Sequence, residues 1–130
     1  MTEKELCRKA MDMLERSYSP YSHFAVGAAL ECSDGTVFTG CNIENASYGP
    51  TICAERVAIF KAVSEGYRDF TRIVIAGRGK DYCVPCGVCR QVMREFVSDD
   101  FEIICLNGAG EGKHFTLGEL LPHSFDSSML

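Results

Sequence analysis

Two short stretches constrain this chain more than anything else in it: Thr51-Ile52-Cys53-Ala54-Glu55-Arg56 and Pro85-Cys86-Gly87-Val88-Cys89-Arg90-Gln91. Each lies where a polar, loop-like sequence gives way to a helical one. Cys86 and Cys89 stand three apart at a helix start, so their side chains leave one face and can reach a single ion. Pro85 before them and Gly87 between them fit a tight turn into that helix. A helix N-terminus presents unpaired N–H groups and partial positive charge, which favours the thiolate form of a cysteine. Cys53 opens the other helix in the same way, so a fold that uses all three thiols together must bring two helix beginnings to one point.

Three protein ligands leave a tetrahedral zinc with one open position, the arrangement of catalytic rather than structural sites, and water there ionises near neutral pH. Glu55, two residues after Cys53, is the expected shuttle for protons from that water to the group attacked and the group that leaves. Three thiolates around Zn²⁺ carry one net negative charge, which Arg56 and the two helix dipoles would offset. Two other readings of the cysteines remain open from the residues alone. One is a structural four-cysteine site that adds Cys83, evenly spaced with Cys86 and Cys89, though it gives Glu55 no role. The other is a redox pair at Cys86 and Cys89, which lacks thioredoxin-type surroundings.

Composition narrows the rest. A chain of 130 residues with 46% hydrophobic content makes one domain with a real core, here expected over residues 1–130. The net charge is −5 and the 13 Lys and Arg are scattered, which disfavours a nucleic acid polymer as partner. No run approaches the roughly 18 apolar residues of a membrane span, and the N-terminal stretch is helical in pattern rather than signal-like, so a cytoplasmic protein without a membrane partner is expected. Of the eight cysteines, Cys7, Cys32, Cys41 and Cys105 sit singly in apolar patterns and are expected to be reduced and buried.

Hydrophobic periodicity gives the order of elements. Leu6, Ala10, Met13 and Leu14 mark an amphipathic helix over residues 3 to 17, which Ser19-Pro20 ends. Phe24 to Leu30 and Val37 to Cys41 read as strands of an antiparallel hairpin around Ser33-Asp34-Gly35-Thr36. Residues 42 to 50 form a loop, and Cys53 to Glu65 is a helix apolar nearly all round, buried under the sheet or against other subunits. Strand (72–77), helix (86–96) and strand (102–106) follow, with parallel pairing, then a weak strand (113–116) and one turn of helix (117–121). The fold class is α/β: a three-layer, mixed five-stranded sheet flanked by helices.

Cys53-Ala54-Glu55 followed by Pro85-Cys86-Gly87-Val88-Cys89 is similar to the signature of zinc nucleobase deaminases, a histidine or cysteine two before a glutamate and then Pro-Cys-x-x-Cys. More specifically the chain resembles the small homotetrameric cytidine deaminases that act on free nucleosides. The likeness runs from Tyr18 to Phe125 and takes in Tyr21-Ser22-x-Phe24-x-Val26-Gly27-Ala28, Gly40-Cys41-Asn42-Ile43-Glu44-Asn45-Ala46-Ser47-Tyr48, Cys89-Arg90-Gln91 and Leu120-Leu121-Pro122-x-x-Phe125. Val84, Pro50 and Ile52 depart from the usual pattern without touching the ligand set.

The resemblance implies one Zn²⁺ per subunit on Cys53, Cys86 and Cys89, with Glu55 as the catalytic proton shuttle. It implies hydrolytic deamination of cytidine and deoxycytidine to uridine and deoxyuridine with release of ammonia, through attack of water at C4, in pyrimidine salvage. It also implies a homotetramer with sites shared between subunits. Phe24 would pack beside the nucleoside, Asn42 and Glu44 would hold the ribose hydroxyls, and the backbone at Ala54 would fix the pyrimidine. Tyr48 and Phe125 would approach from neighbouring subunits, with Phe125 near the base, and Arg56 and Gln91 would support the ligands from behind. Adjacent groups such as Asn42 and Glu44 suit a diol. Pattern alone also allows Phe24 as core, Asn42 as a turn residue, Glu44 as a solvated charge, Tyr48 as a surface aromatic and Phe125 as a tether for the tail. The rival functions are a deaminase for a nucleoside antibiotic of the blasticidin S type and a non-catalytic, zinc-stabilised interaction module.

Overall fold

The computed structural model describes residues 1–130 and is built on a five-stranded sheet in the order β2-β1-β3-β4-β5. Its strands are β1 (Val26–Cys32), β2 (Val37–Cys41), β3 (Phe70–Gly77), β4 (Glu102–Leu106) and β5 (Gly112–Thr116), and its helices are α1 (Glu3–Asp12), α2 (Ala54–Ser64), α3 (Gly87–Phe96) and the single turn α4 (Leu117–Leu120). The pair β3 and β4 is parallel and the other neighbouring pairs are antiparallel, so the sheet is mixed as expected. No helix is long and apolar enough to cross a membrane.

Side chains alternate across the sheet and divide the core in two. On one face Ala29, Val74, Ala76, Ile104 and Leu106 meet Leu6 and Ala10 of α1. On the other, Ala28, Leu30, Ile73, Ile75, Ile103 and Cys105 meet Ala58, Ile59 and Ala62 of α2 and Cys89 and Met93 of α3. Each fully buried Leu or Ile contributes roughly 1.5–3 kcal/mol of transfer free energy. Three layers result: α1, sheet, and the α2–α3 layer.

This arrangement is what gathers the site. Both β2 and β3 run antiparallel to β1 and therefore in the same direction as each other. Each is followed by a helix on the same face, so α2 and α3 both begin at the same end of the sheet. Gly40 lets α2 sit close on β2, since a methyl group there would collide with the Ala54 carbonyl.

Three elements differ most from what the sequence predicts, the other helix and strand ends agreeing to within one residue. The first helix is α-helical only to Asp12 and continues as a 3₁₀ turn, Met13–Arg16. β1 begins at Val26 rather than Phe24, because the Asn42 side chain replaces the ladder there: its Nδ2 donates to the Phe24 carbonyl (2.8 Å) and its Oδ1 accepts from the Val26 N–H (2.9 Å). β3 starts two residues early, at Phe70, opposite Cys32 and just beyond a register shift at Glu31. Helix α2 buries Ala54, Glu55, Ala58, Ile59 and Ala62 while leaving Phe60 exposed, so one side of it lies against the sheet. All eight cysteines are free thiols; Cys32, Cys41 and Cys105 are buried and Cys7 is half-buried.

Candidate metal centre

Cys53 is the N-cap of α2 and Cys86 the N-cap of α3, both in extended conformation, and neither side chain is spent on capping. Their thiols are thereby free to project beyond the helix ends. Cys89 is the third residue of α3 and fully buried. The three Sγ atoms lie within 4.8 Å of one another, and Cys53 Sγ is 3.6 Å from Cys86 Sγ. Tetrahedral zinc with Zn–S of about 2.3 Å separates its sulfurs by about 3.8 Å, so this donor set fits zinc in kind and in spacing. Cys83 is not part of the cluster. It faces Gly77, where an added methyl would lie 3.1 Å from its Sγ, and burial pushes its thiol up to about 12.

The electrostatics suit a cation. The hydrogen bond with Cys89, aided by Arg56 and Cys86, brings the Cys53 thiol down to about 5. Cys89 carries the opposite shift, upward, because it is the donor of that shared proton and is buried. Arg56 Nη2 donates to Cys53 Sγ at 3.5 Å, while its Nε is buried without a hydrogen-bond partner. A guanidinium held this close would balance the single negative charge that three thiolates leave on a divalent ion.

Glu55 is the second residue of α2 and only 3% exposed. Burial pushes its carboxyl up to about 7, and the Cys53 thiolate adds to the effect. A carboxyl poised near neutrality can both take and return a proton. Ala54, beside it, is fully buried.

The loop before α2 carries the remaining polar groups. Paired backbone hydrogen bonds between Ile43 and Ile52, both 3.0 Å, close it, and Tyr18 N–H donates to the Asn42 carbonyl at 3.0 Å. Asn42 Oδ1 accepts from Ser17 Oγ (2.5 Å) as well as from Val26 N–H. Glu44 Oε1 accepts from the N–H groups of Tyr21 (3.0 Å) and Ser22 (3.1 Å), and Oε2 accepts from Ser22 Oγ. The Ser22 hydroxyl lowers the Glu44 carboxyl below its usual range. Phe24 is exposed rather than core, its ring lying over Gly77 and Gly79. Tyr48 and Phe125 are 74% and 55% exposed, and Gln91 Nε2 donates to the Phe125 carbonyl at 3.0 Å rather than to a thiol. A cleft of about 380 Å³ is lined by Tyr21, Ser22, Glu44, Tyr48 and Thr51.

Two sets of supporting residues escape a reading of the sequence. Ser17 and Ser22 orient Asn42 and Glu44, and Arg90 bonds to two carbonyls far apart in the chain. Ser22 and Arg90 stand inside motifs shared with the deaminases, which is the one signal that points to them.

The chain is similar to known deaminases. Residues 1–105 match the family described as the cytidine and deoxycytidylate deaminase zinc-binding region. A cytidine deaminase of Halalkalibacterium halodurans is 48% identical over 125 residues, covering 96% of this chain and 95% of that protein. The crystal structure of a cytidine deaminase from Burkholderia pseudomallei superposes with a TM-score of 0.93 at 46% identity, covering 96% of this chain and all of that one (100%). A blasticidin-S deaminase of Bacillus cereus is more distant, 32% identical over 91% of this chain and 88% of its own length.

Proposed function

The chain belongs to the cytidine deaminase family, and on that premise we propose how its residues carry out the reaction. It is a zinc-dependent hydrolase that converts cytidine to uridine and ammonia. The observation that carries this reading is the meeting of three thiols at two helix N-termini beside a buried glutamate. Cys53, Cys86 and Cys89 would hold one Zn²⁺ per chain, and that ion, when bound, supplies Lewis-acid activation of water at neutral pH.

Glu55 moves the protons. Its carboxylate accepts one from the water that adds to C4 and delivers it to the neighbouring ring nitrogen. It then carries the second proton from the new C4 oxygen to the exocyclic nitrogen, which departs as ammonia while the C4 carbonyl forms. One water is consumed and one ammonia released, and Glu55 ends as it began. Its burial keeps bulk water from competing for these transfers.

Asn42 and Glu44 hold the sugar. The internal bonds of Asn42 leave one side-chain N–H free, and those of Glu44 leave acceptor capacity on Oε2. A spare donor and a spare anionic acceptor two positions apart in the chain suit the hydroxyls of a nucleoside's sugar. The exposed face of Phe24 is available to pack beside the nucleoside, and the Ala54 backbone at the helix start is available to the pyrimidine. Tyr48 and Phe125 are aromatic platforms whose exposure in one chain supports their use in a neighbouring subunit's site within a homotetramer, and deamination of a free nucleoside suits pyrimidine salvage in the cytoplasm. Asn42 and Glu44 favour an ordinary nucleoside over a blasticidin S-type substrate, and a side-by-side rate comparison separates the two.

The test is the ultraviolet absorbance change as zinc-loaded protein converts cytidine to uridine, with Glu55→Gln alongside. Wild type should turn over, and Glu55→Gln should keep its zinc while losing roughly 10²–10⁴-fold in kcat, the range for general acid–base catalysis. An active Glu55→Gln would remove the proton-shuttle role.

A further inference from the structure

Arg90 immediately follows Cys89 on α3, yet its side chain hydrogen-bonds to carbonyls rather than to sulfur. Its Nε donates to the carbonyl of Pro85 at 2.7 Å, and its Nη1 donates to the carbonyl of Leu120 at 2.7 Å. Pro85 is fully buried and is the residue joined to Cys86. Leu120 is the last residue of α4, where helix carbonyls lack intrahelical partners. One planar guanidinium therefore bridges the loop that presents Cys86 and the start of the C-terminal segment. The next residue, Gln91, fastens the far end of that segment through the Phe125 carbonyl at 3.0 Å.

Between these two anchors the path has little freedom. Pro122 fixes one backbone angle, and His123 adopts a left-handed conformation, φ 51°, that non-glycine residues rarely use. Cys89 and Met93 hold α3 itself in the core, so Arg90 and Gln91 project from a fixed base.

We propose that Arg90 is a positioning residue that ties the Cys86 loop to the segment carrying Phe125, so that ligand geometry and the placement of that aromatic are set together. The part of this that concerns substrate rests on the stacking role given to Phe125 above; the tie itself does not. Lysine cannot replace arginine here, because a single ammonium lacks the fork that reaches two separated carbonyls.

The experiment uses the zinc-loaded protein and two readouts other than turnover. One is the rate of zinc transfer to a chelating dye, and the other is amide hydrogen exchange in the peptide covering residues 117–125. Arg90→Lys should speed both by about tenfold, as expected for the loss of a charge-assisted hydrogen bond at each end. Gln91→Ala should speed exchange in the segment while leaving zinc transfer near wild type. Coupling is reciprocal, so stripping zinc from unmutated protein should by itself speed exchange in residues 117–125, a measurement that does not depend on any variant folding. If Arg90→Lys leaves either rate within about twofold of wild type, or zinc removal leaves the segment's exchange unchanged, the tie is overturned. Phe125→Ala separates the two readings: an unchanged KM there removes the stacking role, while the zinc and exchange results still decide the tie.

Discussion

Cys53, Cys86, Cys89 and Glu55 occupy the first turns or caps of two helices, whereas Phe24, Asn42, Glu44, Tyr48 and Phe125 come from a strand approach, a loop and the tail. The first group gathers beside a buried carboxyl, and all four residues come from one chain. The second is largely exposed, and its polar members are oriented by hydrogen bonds from Ser17, Tyr21, Ser22 and Val26, about twenty residues away in sequence. The difference shows where precision comes from. At the thiol corner helix geometry sets positions, and at the polar rim hydrogen bonds from side chains and backbone N–H groups do so.

Perturbing the corner should have the larger effect. Cys86→Ala removes one of the three proposed ligands and should weaken zinc binding by more than about 100-fold, the upper end of what loss of an outer-shell partner costs; competition with a chelator measures it. Equal zinc affinity in that variant would break the contrast between a complete corner and an adaptable rim.

At the rim the effect should be smaller and confined to binding. Glu44→Ala should raise KM for cytidine by roughly 10–100-fold, the worth of one or two charged hydrogen bonds, with zinc content unchanged. The pH dependence has a definite sign. Because Ser22 holds the Glu44 carboxyl below its usual range, the anionic form and its contribution are present at neutral pH. They are lost only as pH falls through that depressed value, so KM should stay flat from neutrality downward and rise only under strongly acidic conditions. A rise beginning near pH 6 would point to a different group.

The smallest effect tests the scaffold beneath the corner. Gly40→Ala drives a methyl against the backbone of α2 and should cost about 1–3 kcal/mol, the usual penalty for overpacking. A lowered Tm with turnover per bound zinc retained would show that β2 seats the helix without tuning its chemistry.

The corner is legible in the sequence because its information is local. Proline, glycine and cysteine at a helix start announce both the turn and the ligands, and the apolar runs of residues 72–77 and 102–106 announce the central strands. The rim is only half legible. Nothing local to Ser17, Ser22 or Arg90 reveals that each bonds across the fold, since a bond to a distant carbonyl leaves no periodic trace. For the same reason the start of β1 is read two residues early: an amide side chain from Asn42 takes the place of a strand partner. The tail beyond Pro122 has no apolar period, and its course is set by Gln91 and by capping within Asp126 to Ser128.

If three thiolates and no fourth make the metal site, one position stays open for chemistry. Cobalt(II) titration of metal-free wild type and Cys83→Ala, read by the sulfur-to-cobalt charge-transfer band, tests it most directly. Saturation at one cobalt per chain, with the same band intensity in both proteins, is expected. A weaker band or lower affinity in Cys83→Ala would make Cys83 a ligand and leave no open position for water.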